Sequence, residues 1–373
     1  MEIHPSSNVV IASGGIGQLF ELTTNPAIST GDGIAMAYRA GASIKDIEFM
    51  QFHPTVFRTN DGSLFLITEA LRGEGAYLRD ANGKRFMTGK HPRAELAPRD
   101  IVVKEMVKVM TRQDLKFVYL DATHLPESML KIRFPSIIVK LKENGLNLHK
   151  DLISVFPAAH YLNGGIKTDL NGRTGVRGLY ACGECAATGA HGANRLASNS
   201  LIEGLVFGWE ISKDVIKKTK DDREGRKRAK TIATLNKIIG SSSGPVSADG
   251  DLKKLKTEKP QRILTGRIDD IITEFRHIMS RDVGLLRDEK SLVRADRYIS
   301  DVLNTYDLYN NPDENVIKLI NMLTVGQLII KAAMLRKESR GTHQRNDYTA
   351  TDDRNWKKHI VLKNNQVSFE PVT

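Results

Sequence analysis

The sequence predicts an α/β fold in which an α+β domain interrupts a Rossmann-like nucleotide-binding domain and a helical bundle follows. Two short apolar strands, at 8–13 and 178–183, each run into glycine, and a long segment of mixed pattern separates them. From residue 261 onwards the apolar residues follow helical spacing. With 373 residues, 40% hydrophobic and 27% charged, the composition is that of a globular chain of two or three domains.

The N-terminal part begins with the strand at 8–13, whose β-branched residues predict a buried position. The strand ends in glycines at 14, 15 and 17. This pattern is not the Gly-x-Gly-x-x-Gly dinucleotide fingerprint, and by itself it indicates a tight connection. A Thr-Gly-Asp-Gly sequence at 30–33 then precedes a predicted helix over 34–42.

The middle of the chain, from about 46 to 157, has a mixed pattern. We predict a strand around 65–67, a turn at Asn82-Gly83 and an amphipathic helix from 98 to about 110. The strand at 178–183 and a helix over 199–220 return to the α/β pattern. Leu201, Leu205 and Trp209 lie on one face of that helix.

The C-terminal part follows a Gly/Ser-rich break at 240–245. One helix is predicted after 261, and a second begins at Asn311-Pro312. Each has one apolar face, formed by Ile271, Phe275, Ile278 and Met279 in the first and by Val316, Leu319, Ile320 and Leu323 in the second.

The net charge of +11 is concentrated in one segment. Residues 211–267 contain 16 Lys and Arg against 7 Asp and Glu. The core of this segment, 217–228, mixes both signs and has no aromatic residue on which bases could stack. We therefore interpret it as a solvated helix end and linker, and we expect no nucleic-acid partner.

Membrane and export signals are not predicted. No run of about 18 apolar residues exists, so we expect no membrane span. The first residues lack a basic region followed by an apolar run, so they do not form a secretory signal. Two cysteines make no disulfide framework, and a cytoplasmic location is the simplest expectation.

Polar clusters lie at the ends of predicted elements. They comprise His53 before a proline, the Thr-Glu and Arg-Gly-Glu-Gly sequences at 68–75, Arg99 in the first turn of a helix, His160, and Arg195 ahead of serines that can cap the next helix. Each alone is more often structural than functional. Together, two histidines and two arginines in glycine-rich surroundings suit a small dicarboxylate, because guanidinium groups bind carboxylates bidentately.

Other chemistries have less support. Cys182 and Cys185 have C-x-x-C spacing, which is compatible with a redox pair but is more typical of small buried residues at a strand end. Without a second pair they cannot form a four-cysteine zinc site. No G-x-S-x-G motif indicates a serine hydrolase.

The motifs resemble those of the L-aspartate oxidases, a family of the succinate dehydrogenase and fumarate reductase flavoprotein superfamily. The sequences at 96–100 and 196–201 are more similar to the oxidases than to the dehydrogenases, which usually have serine before the arginine. The resemblance covers essentially the whole chain. It rests on the residues at 12–15, 24–26, 30–33, 51–54, 68–75, 95–100, 159–161, 178–184, 191–201 and 338–341.

The resemblance implies a domain order. It predicts an FAD-binding domain in two parts (1–47 and 158–238), a capping domain (48–157), a linker (239–260), a C-terminal helical domain (261–350) and a tail (351–373). Family members begin with a strand and a glycine-rich fingerprint that bind the FAD pyrophosphate, and this sequence starts after them. We therefore expect an incomplete Rossmann-like domain with an unpaired sheet edge and an uncovered apolar face.

The resemblance also implies a reaction and a site. The reaction is the flavin-dependent oxidation of L-aspartate to iminoaspartate, the first step of NAD biosynthesis through quinolinate, with oxygen or fumarate as acceptor and non-covalent FAD as cofactor. Arg99 would be the catalytic proton-transfer residue. The substrate would contact His53, Thr68, Glu69, His160 and Arg195, and FAD would contact Gly14, Gly15, Asp32, Glu184, Ser200 and Leu201.

Two alternatives remain at this point: a fumarate reductase or succinate dehydrogenase-type flavoprotein, and an inactive, N-terminally truncated fragment. Quinolinate synthase is a candidate protein partner. The role of Arg99 carries a tension, since a free guanidinium has a pKa above about 12 and rarely releases its proton. A proton-shuttling arginine needs a desolvated, cation-rich site.

Overall fold

The computed structural model describes residues 4–220, 265–309 and 313–372. Within these ranges it has three β-sheets and ten α-helices. The predicted linker at 239–260, the break at 240–245, most of the basic segment and the predicted helix start at 311–312 lie outside the described residues.

The first domain is assembled from two stretches of chain on either side of the cap. Strand β1 pairs in parallel with β9, with Val9 opposite Leu179. Among the described residues only β9 flanks β1, and Val9 and Val10 are 49% and 46% exposed, so the prediction of a buried strand here is wrong. The elements are β1 (Val9–Ile11), α1 (Asp32–Arg39), β2 (Ile44–Lys45), β8 (Gly165–Lys167), β9 (Leu179–Ala181), β10 (Ala186–Ala187) and α6 (Asn199–Lys220).

The cap is a five-stranded antiparallel sheet in the order β4-β3-β7-β6-β5, and helices cover it. Its apolar residues form a core of their own, including Leu78, Val102, Met106 and Leu120. Its elements are β3 (Met50–Arg58), β4 (Leu64–Leu66), α2 (Glu69–Gly73), β5 (Tyr77–Arg79), α3 (Arg99–Gln113), β6 (Val118–Asp121), α4 (Glu127–Arg133), α5 (Pro135–Glu143) and β7 (Ile153–Leu162).

Three long helices follow, and they share one core with the first domain. They are α7 (Thr265–Asp282), α8 (Glu289–Thr305) and α9 (Glu314–Leu335). All eight residues predicted on the apolar faces of this part are buried. Gly326 allows the close approach, because a Cβ there would lie 3.0–3.1 Å from atoms of Phe275 and Ile299.

The C-terminal residues form a hairpin where the sequence predicts a tail. After the short α10 (Asp353–Trp356) come β11 (Lys358–Lys363) and β12 (Gln366–Pro371). The hairpin joins the first domain in a sheet with the order β10-β8-β2-β11-β12, with Val361 opposite Lys45. The two ends of the chain are thereby joined through one sheet.

Helix α9 is the only helix in the described ranges that is long and apolar enough to cross a membrane. Of its apolar window, 72% is buried inside the chain, where it packs against α1, α7 and α8. Its length and composition are therefore those of a core helix.

Candidate active site

Eight of the predicted site residues line one cleft of about 500 Å³ between the cap and the first domain. Strands β3 and β7, the starts of α2, α3 and α6, and the loop before α6 all contribute to it. The eight are His53, Thr68, Glu69, Arg99, His160, Arg195, Ser200 and Leu201.

The two histidines lie side by side because β3 and β7 are paired. Their ring centroids are 5.1 Å apart. The Thr24 hydroxyl lies 2.9 Å from Nδ1 of His160, and Nδ1 of His53 accepts a bond from the Thr55 backbone N–H at 3.3 Å. The neutral His53 ring therefore carries its proton on Nε2. Burial, and then the Arg99 charge, lower the pKa of His160 to about 3 and hold that of His53 well below its ordinary value.

Arg99 begins helix α3, directly after Pro98, and is largely buried. Its Nε donates to Glu69 Oε2 at 2.9 Å, and its Nη1 donates to Gln51 Oε1 at 2.8 Å. Arg72 stands behind Glu69 at 3.6 Å, and burial lowers the pKa of this second guanidinium to about 10. Arg99 thus lies in the desolvated, cation-rich site that a proton-transferring arginine needs.

Arg195 is buried and has bonding capacity to spare. Its Nη2 donates to Ser200 Oγ at 2.5 Å, and its guanidinium lies 4.3 Å from the centre of the Tyr161 ring. Within the described part of the chain, its Nε and Nη1 have no hydrogen-bond partner. Burial and the nearby Arg99 charge lower the pKa of this group. Buried donors left free are ready to bind a carboxylate.

One network reaches between the cap and the loop that carries Arg195, and the sequence patterns gave no role to its middle residues. Gln51 Nε2 donates to Asn194 Oδ1 and to the Arg195 carbonyl, both at 2.8 Å, and Asn194 Nδ2 donates to Asp100 Oδ1 at 2.7 Å. Gln51 lies two residues before His53 on the same strand. Because residues at this spacing share a face, the sequence held a signal for it.

A second network lies behind Arg195, and sequence reasoning missed its role as well. The Tyr161 hydroxyl donates to Glu203 Oε2 at 3.1 Å, and His191 Nε2 is 2.6 Å from the same oxygen. The Thr188 hydroxyl donates to the other oxygen of Glu203. All of these side chains except Thr188 are at most 7% exposed. The network holds the Tyr161 ring against the guanidinium of Arg195.

Three of the predicted FAD contacts lie together outside the cleft. A Cβ on Gly15 would lie 2.0 Å from Glu184 Oε1, so a larger residue there would have to displace the Glu184 carboxylate. Gly14 has φ +74°, the left-handed region that favours glycine. Glu184 accepts a bond from the Leu162 N–H at 2.9 Å, and burial raises the pKa of its carboxyl to about 7. Their contacts with FAD stay predictions.

The other predicted FAD contacts fall in two places. Ser200 and Leu201 begin helix α6 at the cleft, where Leu201 is 75% exposed. Asp32 is not brought to the cleft. Its carboxylate accepts bonds from the Thr30 hydroxyl and, at 2.5 Å, from Asn321 on helix α9. Its contact with FAD also stays a prediction.

The described residues give little support for metal or thiol chemistry. The described residues contain no group of three or more His, Cys, Asp or Glu that could hold a metal ion. The Cys185 thiol donates to the backbone carbonyls of Ile11 and Cys182 at 3.3 Å, and burial raises its pKa to about 11. Thiols of this kind are structural rather than reactive.

Comparisons with known proteins identify the family of this chain. The family model of the FAD binding domain matches residues 1–201, and that of the fumarate reductase flavoprotein C-terminal region matches residues 272–373. L-Aspartate oxidase of Streptomyces coelicolor is 42% identical over 96% of this chain and 60% of its own length. L-Aspartate oxidase of Synechocystis sp. is 35% identical over the whole chain and 67% of its own length.

Solved structures give the same picture. The Escherichia coli quinol fumarate reductase subunit FrdA has a TM-score of 0.77 at 30% identity, covering 98% of this chain and 65% of its own. The Mycobacterium smegmatis Sdh1 structure has a TM-score of 0.71 at 29% identity, covering 99% of this chain and 62% of its own. This chain spans roughly 60% of the length of most of the curated relatives. The chain belongs to the L-aspartate oxidase family, within the succinate dehydrogenase and fumarate reductase flavoprotein superfamily.

Proposed function

We propose that this chain carries the substrate site of a flavin-dependent L-aspartate oxidase, which forms iminoaspartate in the first step of NAD biosynthesis. The relatives' names support the reaction, and the cleft supports the substrate class. The observation that carries the proposal is the pair of buried Arg195 nitrogens, Nε and Nη1, that have no hydrogen-bond partner in the described structure. They lie in a cleft that also holds Arg99 and two neutral histidines.

The charges of the cleft match a dicarboxylate. Arg195 would bind one carboxylate through a charge-assisted hydrogen bond from its free Nε or Nη1, which point in different directions. His53 and His160, held neutral by burial, would donate hydrogen bonds without taking up charge. Thr68 caps helix α2 by accepting a bond from Ala70, so its hydroxyl hydrogen is left for substrate.

Arg99 would move the proton and Glu69 would orient it. Glu69 and Gln51 hold two separate nitrogens of Arg99, which fixes the plane of the guanidinium at the wall of the cleft. Closure of the cap over the first domain would exclude water from this site. The Gln51–Asn194–Asp100 network already connects the cap to the first domain in the described structure, and closure of the cap would have to preserve these hydrogen bonds.

The residues present fit a flavin beside the cleft. Leu201 offers an exposed apolar side chain at the start of α6, next to Ser200, and Gly15 lies against the Glu184 carboxylate, which a larger residue would displace. We assign the contacts with non-covalent FAD to Gly14, Gly15, Asp32, Glu184, Ser200 and Leu201. When bound, FAD takes up the two electrons removed from the substrate, and oxygen or fumarate then accepts them.

The test is the visible absorption spectrum of the purified chain after incubation with FAD and gel filtration. We expect a retained flavin band that bleaches when L-aspartate is added without oxygen. Acid precipitation should then release the flavin into the supernatant, because a covalently linked flavin would precipitate with the protein. Bleaching by succinate instead of L-aspartate would favour the fumarate reductase-type alternative, and the absence of a retained flavin band would overturn flavin binding by this chain.

A second measurement does not depend on flavin. Calorimetric titration with succinate, a non-reacting dicarboxylate in this setting, should show binding that Arg195→Met abolishes. Lys131→Met is the matched control, since Lys131 pairs with Glu127 on the exposed surface of the cap. Equal affinity of the three proteins would remove the assignment of the cleft.

A further inference from the structure

We propose that a second cleft in this chain binds a phosphate monoester that carries a flat apolar group. The cleft has a volume of about 470 Å³ and shares no lining residue with the substrate cleft. It lies where β2 and the loop at 188–193 meet the C-terminal segment from 336 to 359. Its volume is within the range of small-molecule sites.

Positive charge dominates the wall of this second cleft. Its cationic side chains are Lys45, Arg336, Arg340, Lys357 and Lys358, and its only carboxylate is Asp46, which already binds His359 at 2.5 Å.

The two arginines are neutralised by acids outside the cleft. Arg336 pairs with Glu48 and Glu338, and Arg340 pairs with Glu338 and Asp353. The three lysines therefore carry the charge that is available to a ligand.

Lys45 is the strongest evidence for an anionic ligand. The residue is only 8% exposed, but its ammonium is accessible from the cleft and makes no hydrogen bond or ion pair with a residue that the structure describes. Burial lowers its pKa, Asp46 and Glu370 act on it only through space, and Lys167 repels it. An anion in the cleft would give this partly desolvated ammonium the direct partner that it lacks in the described structure.

The number of free cations favours phosphate over carboxylate. The cleft presents three free ammonium groups, which are compact point charges that require no planar partner. A phosphate group on an ester carries a charge of about −1.5 to −2 at pH 7, whereas a carboxylate carries only one negative charge. The Lys358 ammonium lies 4.8 Å from the centre of the Trp356 ring, so charge and an aromatic surface are adjacent.

The apolar part of the wall accounts for the rest of the ligand. Phe49, Trp356 and Val372 line the cleft together with the lysines. Phe49 is only 3% exposed, so the accessible apolar surface belongs to Trp356 and the half-exposed Val372. A free phosphate ion would leave that surface in water, whereas a phosphate monoester with a flat ring would cover it. We therefore expect affinity for the ester to exceed affinity for inorganic phosphate.

The test uses Trp356 as a local reporter. The chain has two tryptophans, and Trp209 is exposed on helix α6, so Trp209→Phe leaves Trp356 as the single fluorophore. Titration of this variant with phenyl phosphate should give a saturable change in fluorescence. Adding Lys45→Met should weaken binding roughly tenfold or more, because a hydrogen bond to a charged group is lost. Lys363→Met, at the far end of β11, is the matched control and should leave binding unchanged.

Two ligand controls and one stability control distinguish a phosphate-ester site from general binding of anions or aromatic rings. Inorganic phosphate should bind more weakly than phenyl phosphate, and phenol should not bind. The Lys45→Met chain should unfold at the same denaturant concentration as its parent or a higher one, because the substitution removes a desolvated ammonium. Equal binding by the Lys45→Met and parent chains, or equal affinity for both phosphates, would overturn the proposal.

Discussion

Arg99 is held at two nitrogens by two different acceptors, and a lysine at this position would offer a single nitrogen without the planar geometry. We expect Arg99→Lys to lower turnover of the flavin-loaded enzyme by about 10²–10⁴, the usual contribution of a positioned proton donor or acceptor. Binding of a dicarboxylate should change far less, because the positive charge is kept. Stopped-flow flavin reduction and calorimetric titration measure the two effects, and equal losses in both would contradict the role.

The neutral histidines make stability depend on pH. Burial lowers the pKa of His160 from 6.5 to about 3, so folding opposes its protonation. Its contribution to stability is fully present above pH 6.5 and is lost as the pH falls toward 3. Between pH 7 and pH 5 this one group should cost the folded chain about 2 kcal/mol.

Urea unfolding of a His160→Gln chain tests this dependence. The variant should lose less stability than the parent chain between pH 7 and pH 5. His277→Gln is the control, because that side chain is half-exposed on helix α7. A pH dependence that His160→Gln leaves unaltered would show that the ring is not the titrating group.

At the scale of elements, the local sequence pattern predicted which helices and strands form. It did not predict which of their faces are covered by other parts of the chain. Helix α6 was predicted over the same residues that the structure gives, 199–220. Its apolar face at Leu201, Leu205 and Trp209 is 66–75% exposed in the described structure. Periodicity reports which side chains share a face, whereas burial depends on a neighbour from elsewhere in the chain.

The C-terminal hairpin is a second case in which the local sequence pattern does not predict a contact with a distant part of the chain. The resemblance predicts a tail at residues 351–373, where the structure has β11 and β12. Strand β11 is nevertheless placed in a sheet by Ile44 and Lys45, more than 300 residues earlier in the chain. No local window contains that pairing.

The sequence predicted many of the residues that line the cleft, but it did not predict the hydrogen bonds that connect the cap to the first domain. The sequence identified the cations and hydroxyls because each lies at the start of a helix or in the loop before one. It missed Gln51, Asn194 and Asp100, whose roles depend on the cap meeting the loop at 194–195. Asp32 accepts a hydrogen bond from Asn321 of the helical bundle, and its contact with FAD stays a prediction.

At the scale of the whole molecule, Arg336 joins three distant parts of the chain. It is buried, with its Nε donating to Glu48 at 2.7 Å and its other nitrogens to Glu338 and the carbonyls of Trp356 and Lys358. Arg336→Met would leave the buried Glu48 carboxylate without its cation, while Glu338 would keep its pair with Arg340. We expect the free energy of unfolding to fall by about 3–5 kcal/mol.

Chemical denaturation measures the loss, and the exposed pair at Lys131 gives the control. Lys131→Met should cost at most about 1 kcal/mol, because both partners of that pair are solvated. A similar loss for the two variants would mean that Arg336 does not join the parts of the fold.

The pairing of β1 with β9 also sets an order of events. Val9 and Leu179 are neighbours in a sheet, yet the entire cap lies between them in the chain. A ribosome releases the cap, which has a separate core, before it has made the partner of β1. Closing a loop of this length costs entropy, and a folded cap shortens the effective loop by holding its two ends together at β3 and β7. The folded cap therefore helps β1 to pair with β9, because it brings the two parts of the interrupted domain together.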